Sequence, residues 1–422
     1  MRGLKAETRT GPGIVCLSHL GWDNVWQRPQ HILSRLARHY PVLYINEPEL
    51  MQEPGPAPVL KKVAEEANVR AWQPFFPDDA GILARWRELY VEQVQDLLVA
   101  EGWAHRSAKG WQPARPLIVW FYTPTPYYFL ERLAPALVVY DVMDDLSHFK
   151  GGAADLPERE ARVLAAADVV FAGGRSLYES RRGRHANLHL FASGVEPEHF
   201  ARALHPATEL APELAGLSHP ILGYYGVVDE RTDLHLLKAL AAARPTWSIV
   251  MVGPVAKIER EALPQAPNLH WIGKQPYERL PGFLKGFDVC IMPFARNGAT
   301  RYISPTKTLE FMAAHKPIVS TPVPDVVANW SDVVRVAGDA SHMVQAVEAA
   351  LQESPAQRRQ RLRREEQYVR RSTWDAIVHD MHRHIQAAWQ ERHRGRDFSD
   401  PAAHRTRTRL QPHDSAIAPT IE

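Results

Sequence analysis

A chain of 422 residues, 45% hydrophobic and 23% charged, has the length for two domains and the composition of a packed globular protein, which excludes wholesale disorder. Its formal net charge of +2 sets up no global field for a nucleic acid, and no run approaches the roughly 18 apolar residues of a membrane-spanning helix. Cys16 and Cys290 each sit inside an apolar run, so neither a disulfide framework nor a zinc site is expected; without a signal-peptide core near Met1, a cytoplasmic location is expected.

From Gly13 onward, short β-rich apolar runs alternate with helical patterns, the mark of an α/β fold whose parallel strands are joined by helical crossovers. Strands are expected at 14–18, 42–45, 117–122, 137–140, 169–172 and 188–191. The helix after Pro29 carries Ile32, Leu33 and Leu36 on one side, with the proline in its first turn. Segment 82–98 places Ile82, Trp86, Leu89, Tyr90 and Leu97 near one face, a stripe suited to the chain's own core or to peripheral contact with a membrane.

Residues 206–220 read as a linker after an N-terminal domain of 1–205, because Pro206, Pro212, Gly216 and Pro220 punctuate them. A second domain, 221–355, repeats the alternation with strands at 221–228, 248–252, 269–272, 289–292, 318–321 and 333–336. Charged helices are expected at 356–395 and a basic, disordered tail at 396–422. The arginines of 358–371 and the tail suit an anionic lipid or acidic glycan carrier, or form no more than a solvated face. Two such sheets face each other across a cleft, with ligands beyond the carboxyl ends of the strands.

The most informative stretch is 297–321. An irregular segment from Asn297 leads into Ser304-Pro305-Thr306-Lys307-Thr308-Leu309-Glu310, with a strand before it and a helix after it. Ser304 is expected to cap that helix and Pro305 to open it, leaving the amides around Thr306, Thr308 and Leu309 free for a diphosphate, with Lys307 adding a full charge. Glu310, one turn on, is placed to accept from a ribose hydroxyl pair; an ordinary capped helix with a solvated Lys and Glu is the alternative.

The run 305–321 resembles the nucleotide-sugar motif of retaining glycosyltransferases of family 4, the group 1 glycosyl transferases, which have the GT-B fold of two Rossmann-like domains. Within that family it is similar to the TuaH-like branch of teichuronic acid biosynthesis. Further matches follow in order: Gly226 to Arg231, Val252-Gly253-Pro254, Trp271-Ile272-Gly273-Lys274 and, earlier, Ala167 to Phe171 and Phe191 to Glu196. The resemblance implies that Arg231 and Lys307 neutralise the donor diphosphate, that Gly253 allows close backbone approach, and that Ile272 and Lys274 flank the base. It also implies front-face transfer with retention, the departing diphosphate helping to deprotonate the acceptor. No metal or other cofactor is expected beyond the nucleotide-diphosphate sugar, and no nucleic acid partner. The chain departs from the pattern where many relatives carry a first glutamate, which falls on Tyr302, and where TuaH-like relatives have Asn-Glu, here Asn297-Gly298.

In the first half, the loop of His19, Gly21, Trp22, Asp23, Gln27 and Arg28 is expected to face the cleft, its tryptophans stacking on sugars and its polar groups binding hydroxyls or phosphates; capping its own domain is the alternative. Asp141 and Asp144, at the end of a strand, are the catalytic candidates, to position an acceptor hydroxyl or stabilise developing charge. A helix N-cap is the other role open to Asp144. A degenerate sugar-nucleotide sensor and a GT-B epimerase are the competing functions. The base, sugar, acceptor and oligomeric state are not legible.

Overall fold

The computed structural model describes residues 11–394 apart from 53, 54 and 150; the expected tail at 396–422 lies outside them. The first sheet contains β1 (Gly13–Leu17), β2 (Val42–Ile45), β3 (Glu49–Leu50), β4 (Val59–Glu66) and β5 (Val69–Phe76). After a hairpin of β6 (Ala104–Ser107) and β7 (Gly110–Pro113) it continues with β8 (Leu117–Phe121), β9 (Leu137–Val142), β10 (Val169–Ala172) and β11 (Leu188–Leu190). Its order is β11-β10-β9-β8-β1-β2-β5-β3, and the pairs along this path are parallel. The β4 strand adds antiparallel to β5, joined through Ala67 at φ 48. Its Lys61-Lys62 and Glu65-Glu66 pairs make it too charged to read as a buried strand, which is why the sequence does not announce it.

The second sheet is parallel throughout, in the order β14-β13-β12-β15-β16-β17, from β12 (Ile221–Tyr225), β13 (Ser248–Val252), β14 (Leu269–Gly273), β15 (Val289–Met292), β16 (Ile318–Ser320) and β17 (Val334–Val336). Central strands such as β1 and β12 are buried at every residue, since helices cover both faces. Cys16 of β1 and Cys290 of β15 are free and buried.

Two cores flank the first sheet. On one side, Tyr90, Val91, Val94, Leu97 and Leu98 of the helix Trp86–Ala100 pack on Val15, Leu17 and Phe121, with Ile82, Trp86 and Leu89 partly buried against them. The amphipathic stripe of 82–98 therefore faces its own core. On the other side, Trp374, Val378, Met381 and Ile385 of the last helix, Trp374–Arg392, pack with Ile32, Leu33 and Leu36. The preceding helix, Pro355–Arg371, instead places Val369 in the core of the second sheet. The described residues thus cross back to the first unit through the helix Trp374–Arg392. Phe200, Ala203, Ala211 and Leu214 also belong to the second core, so the connection around 206–220 is anchored rather than loose. Among the described residues, no helix is long and apolar enough to cross a membrane.

Candidate functional site

The carboxyl ends of the central strands of both sheets open on one cleft. On the second unit, β12 and β13 are followed directly by Gly226 (φ 146) and Gly253 (φ 150), a backbone region that favours glycine. A Cβ on Gly253 would lie 1.9 Å from the Gly226 carbonyl oxygen, so the close approach expected at Gly253 is made first by the protein's own backbone. A Cβ on Gly226 would lie 3.0 Å from Lys307 Cε. These two turns therefore bring the chain directly under the Lys307 side chain.

Arg231 lies beyond the same turn and donates to Asp229 from Nε (3.0 and 3.1 Å) and Nη2 (2.6 Å), a fork that fixes its plane. Burial lowers the Lys307 ammonium, countered by Glu310, while Arg231 lowers it further; burial raises the Glu310 carboxyl, countered by Lys307. Arg231, Lys307 and Glu310 thus share one field. Of the expected donor residues, these three lie together.

The helix there runs Lys307–Ala313 with Thr306 at its N-cap and no side-chain cap. Ser304 is not the cap: its Oγ is buried without a hydrogen-bond partner among the described residues. The amides of Thr308 and Leu309 are turned inward to the carbonyls of Pro305 (3.1 Å) and Thr306 (3.1 Å), and their side chains are buried, which removes them from direct anion contact. The helix opens through a tighter first turn than Ser-Pro suggested. Ile272 is half-buried and Lys274 exposed at the end of β14, where Gly273 accepts from the Gly253 amide at 2.9 Å.

On the first unit, several expected cleft residues face inward. Trp22 is 3% exposed, packs on Tyr44 and Trp26, and donates its amide to Asn46. Gln27 closes a capping box with Gln30 at the start of the helix Arg28–Leu36. Arg28 donates to Asp141 from Nε and Nη2 at 2.8–3.1 Å and to the Phe191 carbonyl at 2.7 Å. Asp141 is 0% exposed, so this pair is a buried strut and Asp141 does not touch substrate. The rule that strand ends carry catalytic groups fails here because Asp141 is still inside β9; three residues later the chain has left the sheet.

Asp144 is that later residue. It is half-buried, and its pKa is pushed up to about 6 by burial, with Arg231 lowering it and Asp229 raising it from across the cleft. His19 joins it, half-buried, held down to about 4 by burial and by Lys257, and hence neutral at pH 7; its Nδ1 has no hydrogen-bond partner among the described residues. Gly21 is half-buried and Asp23 exposed.

Sequence reasoning missed Phe149 and Lys257. Arg231 Cζ lies 5.6 Å and Lys257 Nζ 5.0 Å from the centre of the Phe149 ring, so an aromatic group of the first unit meets two cations of the second. Beside it, His148 packs on Tyr302 at 5.3 Å, and a Cβ on Gly298 would meet His148 at 3.4 Å. The two departures from the family pattern thus seat His148. Lys257, four residues past Gly253, carried no signal beyond its charge near a strand end.

Residues 219–353 match the model of the family described as glycosyl transferases group 1. Over 176 residues the chain is 29% identical to a protein of Bacillus subtilis (strain 168) named as a teichuronic acid biosynthesis glycosyltransferase, TuaH, and the match takes in 39% of this chain and 43% of that protein's length. Among solved structures, a sucrose-phosphate synthase from Thermosynechococcus elongatus is similar with TM-score 0.66 and 15% identity over 90% of this chain and 100% of that one. An α,α-trehalose-phosphate synthase (UDP-forming) from Burkholderia xenovorans, in complex with glucose-6-phosphate, is similar with TM-score 0.63 and 12% identity over 89% of this chain and 100% of that one. The fold is GT-B, and the resemblance to group 1 glycosyltransferases holds.

Proposed function

We propose that the protein is a retaining glycosyltransferase that moves a sugar from a nucleotide-diphosphate donor to a hydroxyl of a glycan, lipid-linked or small-molecule acceptor, in cell-surface polysaccharide or glycoconjugate synthesis. The observation that carries this reading is the convergence of Arg231, Lys307 and Glu310 beside the Gly226 and Gly253 turns, opposite Asp144. Two cations at one point suit a diphosphate, whose charge grows as it departs. A buried carboxylate one turn on suits the vicinal hydroxyls of a ribose.

In the proposed reaction the acceptor oxygen bonds to the anomeric carbon while the bond from that carbon to the diphosphate oxygen breaks. The hydroxyl proton passes to the departing phosphate oxygen. Arg231 and Lys307 carry the leaving charge, so no metal ion is required, and Asp144 orients the acceptor hydroxyl and balances positive charge at the anomeric carbon. The proposed setting is the cytoplasm.

A thermal-shift panel of uridine, guanosine and adenosine diphosphate sugars tests the reading. Ligand at 100 times its Kd adds about 2.7 kcal/mol of apparent stability, so one donor class stands out. Lys307→Ala and Glu310→Ala abolish the shift. A shift that survives both moves the donor elsewhere, and donor binding without transfer or hydrolysis makes the protein a sensor.

A further inference from the structure

We propose that the acceptor is a single neutral sugar unit, bound in a cavity behind Asp144 rather than on the loop after β1; this rests on the transferase reading above. The cavity measures about 220 Å³ and lies between the turn Leu146–His148, the helices Leu156–Ala166 and Arg175–Arg181, and Tyr302 of the opposite unit. It is smaller than the about 300–1,000 Å³ of sites that enclose drug-sized ligands, which suits one pyranose ring and not an oligosaccharide.

Its position follows from one residue. Asp144 lines the cavity, and the turn Leu146–His148 beside it runs straight into Phe149, whose ring centre lies 5.6 Å from Arg231 Cζ, so a hydroxyl bound beside Asp144 lies toward the donor phosphates, within the field of Arg231 and Asp229. The loop after β1, by contrast, has turned Trp22 and Arg28 into the domain.

The lining sets the chemical class. Arg181, 3% exposed, donates to Glu160 Oε1 from Nε (3.1 Å) and Nη2 (2.7 Å) and to Asp145 from Nη1 (3.0 Å), while Arg184 donates to Glu160 Oε2 at 3.0 Å. Three carboxylates, Asp144, Asp145 and Glu160, face two guanidinium groups in the lining, which disfavours an anionic acceptor. Donors and acceptors side by side suit hydroxyls, which do both. Tyr302 adds an aromatic wall for the C–H face of a sugar. The tyrosine in place of the family's first glutamate then has a use: it closes the cavity from the second unit.

The test uses the full chain and saturation-transfer NMR with methyl glycosides of glucose, galactose, mannose, rhamnose and N-acetylglucosamine, each with uridine or guanosine diphosphate present. At least one glycoside is expected to give a signal that falls five-fold or more in Ser180→Trp, which fills the cavity from an exposed helix position, and in Arg184→Met. The nucleotide thermal shift stays unchanged in both variants. Persistence of the glycoside signal in both, its absence from the wild type while the nucleotide shift is present, or tighter binding of methyl glucuronide than of the neutral glycosides overturns the proposal. Loss of the nucleotide shift from the wild type itself locates the failure in the transferase reading.

Discussion

Asp325, in the helix Pro324–Trp330 of the second unit, accepts hydrogen bonds from the backbone amides of Arg175 (2.8 Å) and Ser176 (2.9 Å) of the first. A side chain of one domain thus caps a helix of the other. The cap is seated by Gly174, where a Cβ would lie 2.5 Å from Asp325 Oδ2. Hydrogen bonds to a charged group contribute about 1.5–3 kcal/mol each. Asp325→Ala therefore loosens the closed arrangement: the melting temperature drops by several degrees and the radius of gyration from small-angle scattering rises. An unchanged radius shows that closure rests on other contacts.

The Arg28–Asp141 pair predicts a different signature. Both groups are buried, and leaving one charge without its partner costs about 3–5 kcal/mol. Arg28→Met should shift the denaturant midpoint strongly, and the double variant Arg28→Met/Asp141→Leu should recover much of the loss. If the single variant unfolds like the wild type, the pair is no strut and Asp141 returns as a candidate for direct chemistry.

The contrast between Asp141 and Asp144 marks the limit of what was legible. The buried apolar runs that begin at Ile14 and Ile221 announce parallel strands, because a sheet covered on both faces admits almost nothing polar. Hence two Rossmann-like sheets, and the strand, loop and helix that carry Lys307 and Glu310, could be read directly. Which acid clears the sheet depends on the residue at which β9 ends, and element boundaries are the least legible feature of a sequence. Trp22 failed for a related reason, since an aromatic in a polar loop can turn inward if its neighbours supply a pocket, as Tyr44 and Trp26 do. Phe149, Lys257 and Asp325 act across the cleft, and contacts between residues far apart in sequence leave no local pattern.

Phe149 yields the third prediction. Its ring meets Arg231 and Lys257, the first of them a proposed ligand of the donor diphosphate, so an anion entering there must displace the ring or pass beside it. Exposed cation–π contacts contribute about 0.5–1 kcal/mol each. Phe149→Ala is expected to tighten binding of uridine or guanosine diphosphate several-fold by calorimetry. Weaker binding instead makes the ring part of the bound state.

Asp144 gives the most discriminating test because its pKa bears on activity and stability in opposite senses. Its pKa rises from 3.8 to about 6, so the folded protein favours the protonated form: this contribution to stability is complete below 3.8 and is lost as pH rises through about 6. Asp144→Asn removes that loss. Its melting temperature should exceed the wild type's at pH 7 by about 2–4 °C for each kcal/mol relieved, and the two should converge below pH 4. Acceptor-dependent turnover runs the other way, falling in the wild type as pH drops through about 6 and lying low and flat across that range in the variant. A variant that keeps full activity with the same acid limb removes Asp144 from the chemistry. A variant less stable than the wild type at pH 7 means that the carboxylate is held by partners that outweigh its burial.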